Sequence, residues 1–251
     1  MPYNGRHVAP CQVTSKVSNM SSYGYAHPEL IVETNWLAAH AQDPHVRIID
    51  AEPSAAYQRA HIPGAVNVPW ESTKDPGNPW HVATPKQFAE MMARAGVGKD
   101  TLVILYDGEG LMRHGVRVWW TLTYYGHTRA KVLNGGWQKW MAEGRPISLD
   151  TPQVTRATFT PRRDASIFAD ARAVADAIDK QGSLIWDVRS DGEWDGSTVR
   201  ALHGGRIPSA THLEWLTTLR DTRVPTMKPA AEIRRMLQEH GVTPDKKIVT
   251  Y

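Results

Sequence analysis

The sequence predicts an α/β protein built as two domains of one fold, and three observations carry that expectation. Short apolar runs that read as strands alternate with amphipathic runs that read as helices, the pattern of a mostly parallel sheet covered by helices on both faces. The chain also repeats itself: Tyr106 and Tyr251 lie 145 residues apart, and at that offset Pro63 falls on Pro208, Ala65 on Ala210, Trp70 on Trp215, Gly96 on Gly241 and Val97 on Val242. Earlier in each copy, Ile48, Ile49 and Asp50 match Ile185, Trp186 and Asp187 at an offset of 137. The second copy therefore carries 8 extra residues, placed in the Gly- and Ser-bearing run 195–205, where a surface loop tolerates insertion. A repeat this long is not a solenoid unit; it marks two domains of roughly 120 residues each.

A chain of 251 residues with 41% apolar and 22% charged residues can bury real cores, and a globular protein is expected. Net charge is +3, and the 29 Lys and Arg are scattered. The basic balance, with a pI near 9.0, suits a small anionic substrate, whereas nucleic acid needs a dense basic stripe that the sequence lacks. No stretch approaches the roughly 18 apolar residues of a membrane span. The single cysteine, Cys11, excludes an internal disulfide and any CxxC redox or metal motif. It lies in a polar, unpatterned tail, residues 1–20, that lacks the apolar core of a secretory signal, and Met20 is a second candidate start. A cytoplasmic protein is the expectation. His40 with His45, and His114 with His127, lack metal spacing and carboxylate company, so no metal is expected.

Along the chain, Thr34 or Asn35 is placed to cap a short helix over residues 36–39. Residues 46–50 read as a buried strand ending in Asp50, at the carboxyl end where open α/β sheets hold functional groups. Pro63-Gly64 marks a turn before a short strand at 66–68, and the Pro- and Asn-rich run 71–80 reads as loop. Thr84 and Gln87 stand in capping-box register around Pro85; Phe88, Met91, Met92 and Ala95 then share one helical face, and Gly96 ends the helix. Ile233, Met236, Leu237 and Gly241 repeat that pattern, the methionines being core fillers.

The stretch 101–120 runs from an apolar strand through a polar loop, beginning Asp107-Gly108-Glu109, into a helix carrying Val116, Trp119, Trp120 and Leu122. A strand at 130–133, a turn at Asn134-Gly135-Gly136 and a helix over 137–143 close the first copy. Residues 145–166, rich in Thr, Pro and Arg, read as a linker. A helix over 168–177 and a strand at 184–187 open the second copy, which arrives at its own central strand at 247–251.

Gly108, Glu109 and Gly110 after a strand invite a dinucleotide fingerprint, but Arg113 takes the third glycine position and the motif fails. Trp119, Trp120, Trp137 and Trp140 read as core and interdomain packing, since base-stacking platforms need a basic groove. Asp187 and Arg189 follow a buried strand; they either orient a neighbouring loop or form an ordinary strand-end ion pair, with Asp50 the counterpart of Asp187. Arg206 either draws an anionic ligand or sits solvated in its turn.

The motifs HIPGAVNVPW (61–70), LYDGEG with RVWW (105–120), VLNGGWQKW (132–140) and DVRSDGEW (187–194), with the opening SSYGYAHPELIVETNWL (21–37), resemble the rhodanese-like tandem-domain sulfurtransferases. They follow the family's order along nearly the whole chain from Ser21. The resemblance implies a thiosulfate or 3-mercaptopyruvate sulfurtransferase with two α/β domains: a tail at 1–20, a first domain at 21–150, a linker at 151–166 and a second, incomplete domain at 167–251. It implies no cofactor, a small anionic sulfur donor, a cyanide or thiol acceptor, and a monomer. In such proteins the second domain supplies a cysteine directly after a strand ending like residues 248–251. Amides of a short loop and the N-terminus of the following helix would stabilise its thiolate, which takes the sulfane sulfur as a persulfide.

Asp187 and Arg189 are the implied supports of that loop. Asp107 stands at the nucleophile position of the first copy, and a carboxylate cannot carry sulfane sulfur, matching the family's inactive first domain. Glu193 stands where some members carry an Arg that neutralises substrate, and Arg206 replaces the first copy's His61. The cysteine would follow Tyr251, so no catalytic residue is assigned within the sequence. The chain alone is expected to be inactive, and to aggregate through an unpaired strand edge and an uncovered apolar face. Two other classes stay open here: a non-catalytic rhodanese-homology module that binds a partner, and a phosphatase whose longer loop ends in an Arg. The residues after Tyr251 discriminate among them.

Overall fold

The computed structural model describes residues 24–109, 111–220 and 223–251. The expectations for the tail, with Cys11 and Met20, lie outside the described residues, as does Gly110. The first half runs β1 (Ile31–Val32), α1 (Thr34–His40), β2 (Val46–Asp50), α2 (Ser54–Arg59), β3 (Val66–Asn67), β4 (Lys74–Asp75), β5 (Asn78–Val82), α3 (Pro85–Arg94), β6 (Leu102–Tyr106), α4 (Arg113–Tyr124), β7 (Ala130–Leu133) and α5 (Gly136–Ala142). Five of these strands form a parallel sheet in the order β1-β7-β6-β2-β3. Side chains alternate along each strand, so Ile49, Val103 and Leu105 join Phe88, Met92 and Leu122 in one apolar layer, while Ile48, Ile104 and Tyr106 join Leu37, Leu133 and Trp140 in the other. Burial on both faces is why β6 reads as an unbroken apolar run.

The second half runs α6 (Ala171–Ala175), β8 (Ser183–Asp187), α7 (Asp191–Asp195), β9 (Thr211–His212), α8 (Ala230–Glu239) and β10 (Lys247–Thr250), with a parallel sheet in the order β10-β8-β9. The sequence repeat survives as strand register. Ile48 pairs with Ile104 and Ile185 with Val249; Asp50 pairs with Asn67 and Asp187 with His212. Each partner in the second sheet stands at the offset of 137 or 145 from its equivalent in the first. The second core is smaller, centred on Ala177, Ile185 and Val249, and Ile233, Met236 and Leu237 are only half-buried where Phe88 and Met92 are fully buried.

Three local expectations are corrected. The run at 71–80 is not loop throughout: a 3-10 turn at Trp70–Thr73 leads into an antiparallel β4–β5 pair, whose tight turn Asp75 closes by accepting from Gly77 N at 2.9 Å. Thr34 does not cap α1; Glu33 holds the cap position, and the Thr34 hydroxyl donates to Glu143 Oε2 at 2.6 Å. The helix expected over 168–177 is confined to α6, capped by Asp170 accepting from Ala173 N at 2.8 Å.

The linker segment lies strapped along the first half. Phe159 meets Phe88 edge-on, Ala157 N donates to Ala93 O, and Arg162 N donates to Tyr125 O. Thr84 and Gln87 form the expected reciprocal capping box at α3.

Candidate active site

At the carboxyl end of the first sheet, β2 ends in Asp50 and β6 is followed by Asp107, both buried. Asp50 Oδ2 accepts from the Tyr106 hydroxyl at 2.7 Å, its Oδ1 accepts from Glu52 N at 2.9 Å, and the same hydroxyl accepts from Ile62 N at 3.0 Å. Burial pushes the Asp50 carboxyl up to about 6, against the opposing pull of the Tyr106 hydrogen bond. Asp107, with no exposed surface, accepts from Met112 N at 2.9 Å and from Gly115 N at 2.7 Å. It thereby ties the loop to the first turn of α4, where Leu111 and Met112 both adopt positive φ. Burial raises its carboxyl too, and the nearby Glu52 charge adds to that.

Glu52, which sequence reasoning missed, completes this crevice. Its Oε1 accepts from Gly108 N and Glu109 N, both at 2.7 Å. His114 Nδ1 stands 3.6 Å from the same oxygen, and the imidazole stacks on Trp70 at 5.0 Å. The signal was available: at the offset of 137, Glu52 falls on Arg189 and reverses its charge. Behind the loop, α5 approaches so closely that a Cβ on Gly136 would lie 2.3 Å from Asp107 O, while Trp137 N donates to that oxygen at 2.9 Å.

The second half presents the matching strand ends with different charges. Asp187 is fully buried and takes Arg189 in a forked ion pair, Nη2 to Oδ2 at 2.6 Å and Nε to Oδ1 at 3.0 Å. Burial alone would raise the Asp187 carboxyl, but the Arg189 hydrogen bonds outweigh it and hold it below the usual carboxylate range. Arg189 Nη2 also donates to Gly205 O at 2.8 Å, and the guanidinium lies 4.9 Å over the Tyr251 ring. Tyr251 repeats the role of Tyr106, its hydroxyl accepting from Ile207 N at 3.0 Å while Val188 N donates to its carbonyl at 3.1 Å. The expected pair is therefore together, an ion pair that also clasps the last residue of the central strand.

Arg206 lies 4.4 Å over Trp194, replacing the Tyr57–His61 stack of the first half, and Trp194 stacks on His212 at 5.0 Å. Glu193 accepts from Ser190 Oγ at 2.9 Å and stands 3.5 Å from Arg200 Nε.

The halves meet beside these crevices. Leu111 and Met112 pack with Trp119, Trp215, Leu219 and Met227, and Asn134 bridges by donating to Glu33 Oε1 at 2.6 Å and accepting from Met227 N at 3.0 Å. Trp140 is buried in the first core with Trp137 against it, as expected of packing tryptophans. Among the described residues no group of three or more His, Cys, Asp or Glu could hold a metal ion, and no helix is long and apolar enough to cross a membrane.

Comparison with known proteins agrees with this geometry. Residues 33–143 and 170–251 match the rhodanese-like domain. The chain is 35% identical to the sulfur carrier protein TtuD of Thermus thermophilus, covering 91% of this chain and 84% of that one. It is 31% identical to a thiosulfate sulfurtransferase of Azotobacter vinelandii, covering 90% and 83%. The crystal structure of SseA from Escherichia coli, described as a 3-mercaptopyruvate sulfotransferase with the rhodanese fold, superposes with a TM-score of 0.79 at 27% identity, covering 88% of this chain and 87% of that one. With two copies of one parallel ladder, matching strand-end aspartates and a family match over most of its length, this chain belongs to the rhodanese-like domain family.

Proposed function

We propose that the protein is a sulfurtransferase that takes a sulfane sulfur from thiosulfate or 3-mercaptopyruvate onto a cysteine and passes it to cyanide or a thiol. The nucleophile belongs to the second half, directly after Tyr251 beyond β10, in the place that Asp107 takes after Tyr106. One observation carries this reading: at the end of β10 the Arg189 guanidinium lies over the Tyr251 ring, and Ile207, next to Arg206 in the chain, donates its N–H to the Tyr251 hydroxyl, whereas the end of β6 is closed by Asp107 and Glu52. Cations at that edge favour a thiolate and an anionic donor; buried carboxylates oppose both.

In this reading Asp187 and Arg189 are positioning residues. Their fork fixes the turn after β8 against Tyr251, so that the chain leaving β10 starts from a defined place. The thiolate attacks the outer sulfur of the donor, a persulfide forms, and sulfite or pyruvate leaves. The names of the Azotobacter and Escherichia relatives support this reaction class. The reading places the work in the cytoplasm, by a monomer with domains at 21–150 and 167–251 and no cofactor.

A thiocyanate-forming assay with thiosulfate and cyanide tests it. The 251-residue chain forms no thiocyanate above background, and the chain extended by a cysteine-bearing loop after Tyr251 does, losing activity when that cysteine becomes serine. Turnover that no cysteine substitution abolishes overturns the reading.

A further inference from the structure

The geometry points to a separate binding site at the opposite end of the first sheet, a pocket that takes a small phosphate monoester with a ring-bearing body. The cavity holds about 460 Å³ and lies at the amino ends of β6 and β7, away from Asp50 and Asp107. Its walls are the turn before β6, with Lys99 and Asp100, the turn before β7, with Thr128 and Arg129, and the linker at 158–162. The linker is fastened there. Arg162 N donates to Tyr125 O at 2.9 Å, and Gly126, at φ +80, is approached so closely that an added Cβ would stand 2.9 Å from Arg162 O. The third wall is therefore packed against the first half and shapes the pocket with it.

Charge sets the ligand class. Lys99, Arg129 and Arg162 are exposed, and among the described residues none of the three makes an ion pair or a side-chain hydrogen bond. Arg94 and Arg156, by contrast, are both spent on Glu90. Asp100 is the one carboxylate lining the cavity, so the rim carries a net charge of about +2, which complements the charge of about −2 on a phosphate monoester near pH 7. Two guanidinium groups suit phosphoryl oxygens, which they can grip through paired N–H donors. A bare oxyanion would leave most of the space empty, since the volume falls among small-molecule sites of roughly 300–1,000 Å³. Beneath the rim the lining is aromatic and buried: Tyr125, His127 and Phe159. The Tyr125 hydroxyl is held by Ala83 O and the His127 Nε2 by Thr101 O, so these rings offer carbon to the body of the ligand. Burial lowers the pKa of His127, and the charge of Arg129 adds to that against the backbone hydrogen bonds, leaving a neutral ring near pH 7.

This inference goes beyond the proposed function and uses none of the residues that reading invokes, so either can fail alone. The probe is phenyl phosphate, titrated by isothermal calorimetry into the protein as its gene encodes it, with inorganic phosphate titrated separately. Arg129→Gln and Arg162→Gln, both exposed, are compared with the wild type and with Lys86→Gln, an exposed cation of α3 outside the pocket. Binding at the end of β10 would be indifferent to Arg129 and Arg162 and is told apart in that way.

The wild type and Lys86→Gln should bind phenyl phosphate saturably and more tightly than inorganic phosphate, and each arginine substitution should weaken binding about tenfold or more. No saturable binding to the wild type, an affinity that neither arginine changes, or inorganic phosphate bound as tightly as phenyl phosphate overturns the proposal. Where an arginine variant does not fold, hydrogen exchange on the wild type answers instead. Saturating phenyl phosphate should slow exchange at residues 126–129 and 158–162, and protection confined to other segments overturns the proposal.

Discussion

Glu52 and Arg189 occupy the same position in the two halves, each two residues beyond the aspartate that ends its strand, and they carry opposite charges. Arg189 turns back to neutralise Asp187, whereas Glu52 reaches across to the amides of Gly108 and Glu109 and leaves Asp50 to be held by Tyr106. Burial raises the Asp50 carboxyl, whereas at Asp187 the hydrogen bonds from Arg189 outweigh burial and lower it.

The pH dependence of stability should show this split. Asp50 is raised to about 6 in the folded protein from 3.8, so folding favours its protonated form. Its contribution is complete below the unfolded value and disappears as pH rises through the folded one, on the order of 2–3 kcal/mol across that window. Asp50→Asn should flatten the fall in stability between about pH 4 and 6, measured by denaturant unfolding at each pH. A wild-type slope unchanged by that substitution refutes the assignment.

Arg189→Ala should strip Asp187 of its partner while leaving it buried. Breaking the fork in this partly exposed setting should cost about 2–3 kcal/mol, read as a lower denaturation midpoint. The sign of its pH dependence is opposite to that of Asp50. The stabilisation from Asp187 is present above the ordinary carboxylate range and is lost as pH falls through the depressed folded value, so the variant should lose less stability on acidification than the wild type.

Gly136→Ala should be far worse than Gly144→Ala. Gly136 has φ +50 and its added Cβ would stand 2.3 Å from Asp107 O, a backbone atom that α5 and the loop cannot move independently. Gly144 has φ +63 with nothing within 4 Å, so alanine there costs about 1 kcal/mol of backbone strain alone. Thermal melts should separate the two by about 2 kcal/mol or more.

Asn134→Ala should loosen the junction of the halves. The side chain links Glu33 to Met227 N, and truncation leaves a part-buried amide and carboxylate without that partner, at about 1–3 kcal/mol. Hydrogen exchange at Met227 should quicken while that of β6 stays protected.

Much of the fold was legible because the chain is written twice. Offsets of 137 and 145 identified the equivalent strands of the two halves, and β6 announced itself by being apolar on both faces. The β4–β5 hairpin was not legible, since its Pro, Asn and Gly content reads as loop and its pairing is set by tertiary position. The linker's attachment was equally hidden: Phe159 in a Thr- and Pro-rich run gives no periodic signal that it plugs against Phe88. At the site, Asp187 and Arg189 were readable as neighbours two apart, and the structure unites them. Glu52 left only its reversed charge against Arg189 at the offset of 137; its role was hidden, because its partners lie 56 and 57 residues away on a loop whose amides leave no trace in the sequence.

The most direct test of the account locates the sulfur. The protein as its gene encodes it is treated with thiosulfate, digested without reductant, and searched by mass spectrometry for the persulfide. The account predicts a single added sulfur on a cysteine immediately following Tyr251, with none on Cys11. A persulfide on Cys11, or turnover with no persulfide at the end of β10, would contradict it.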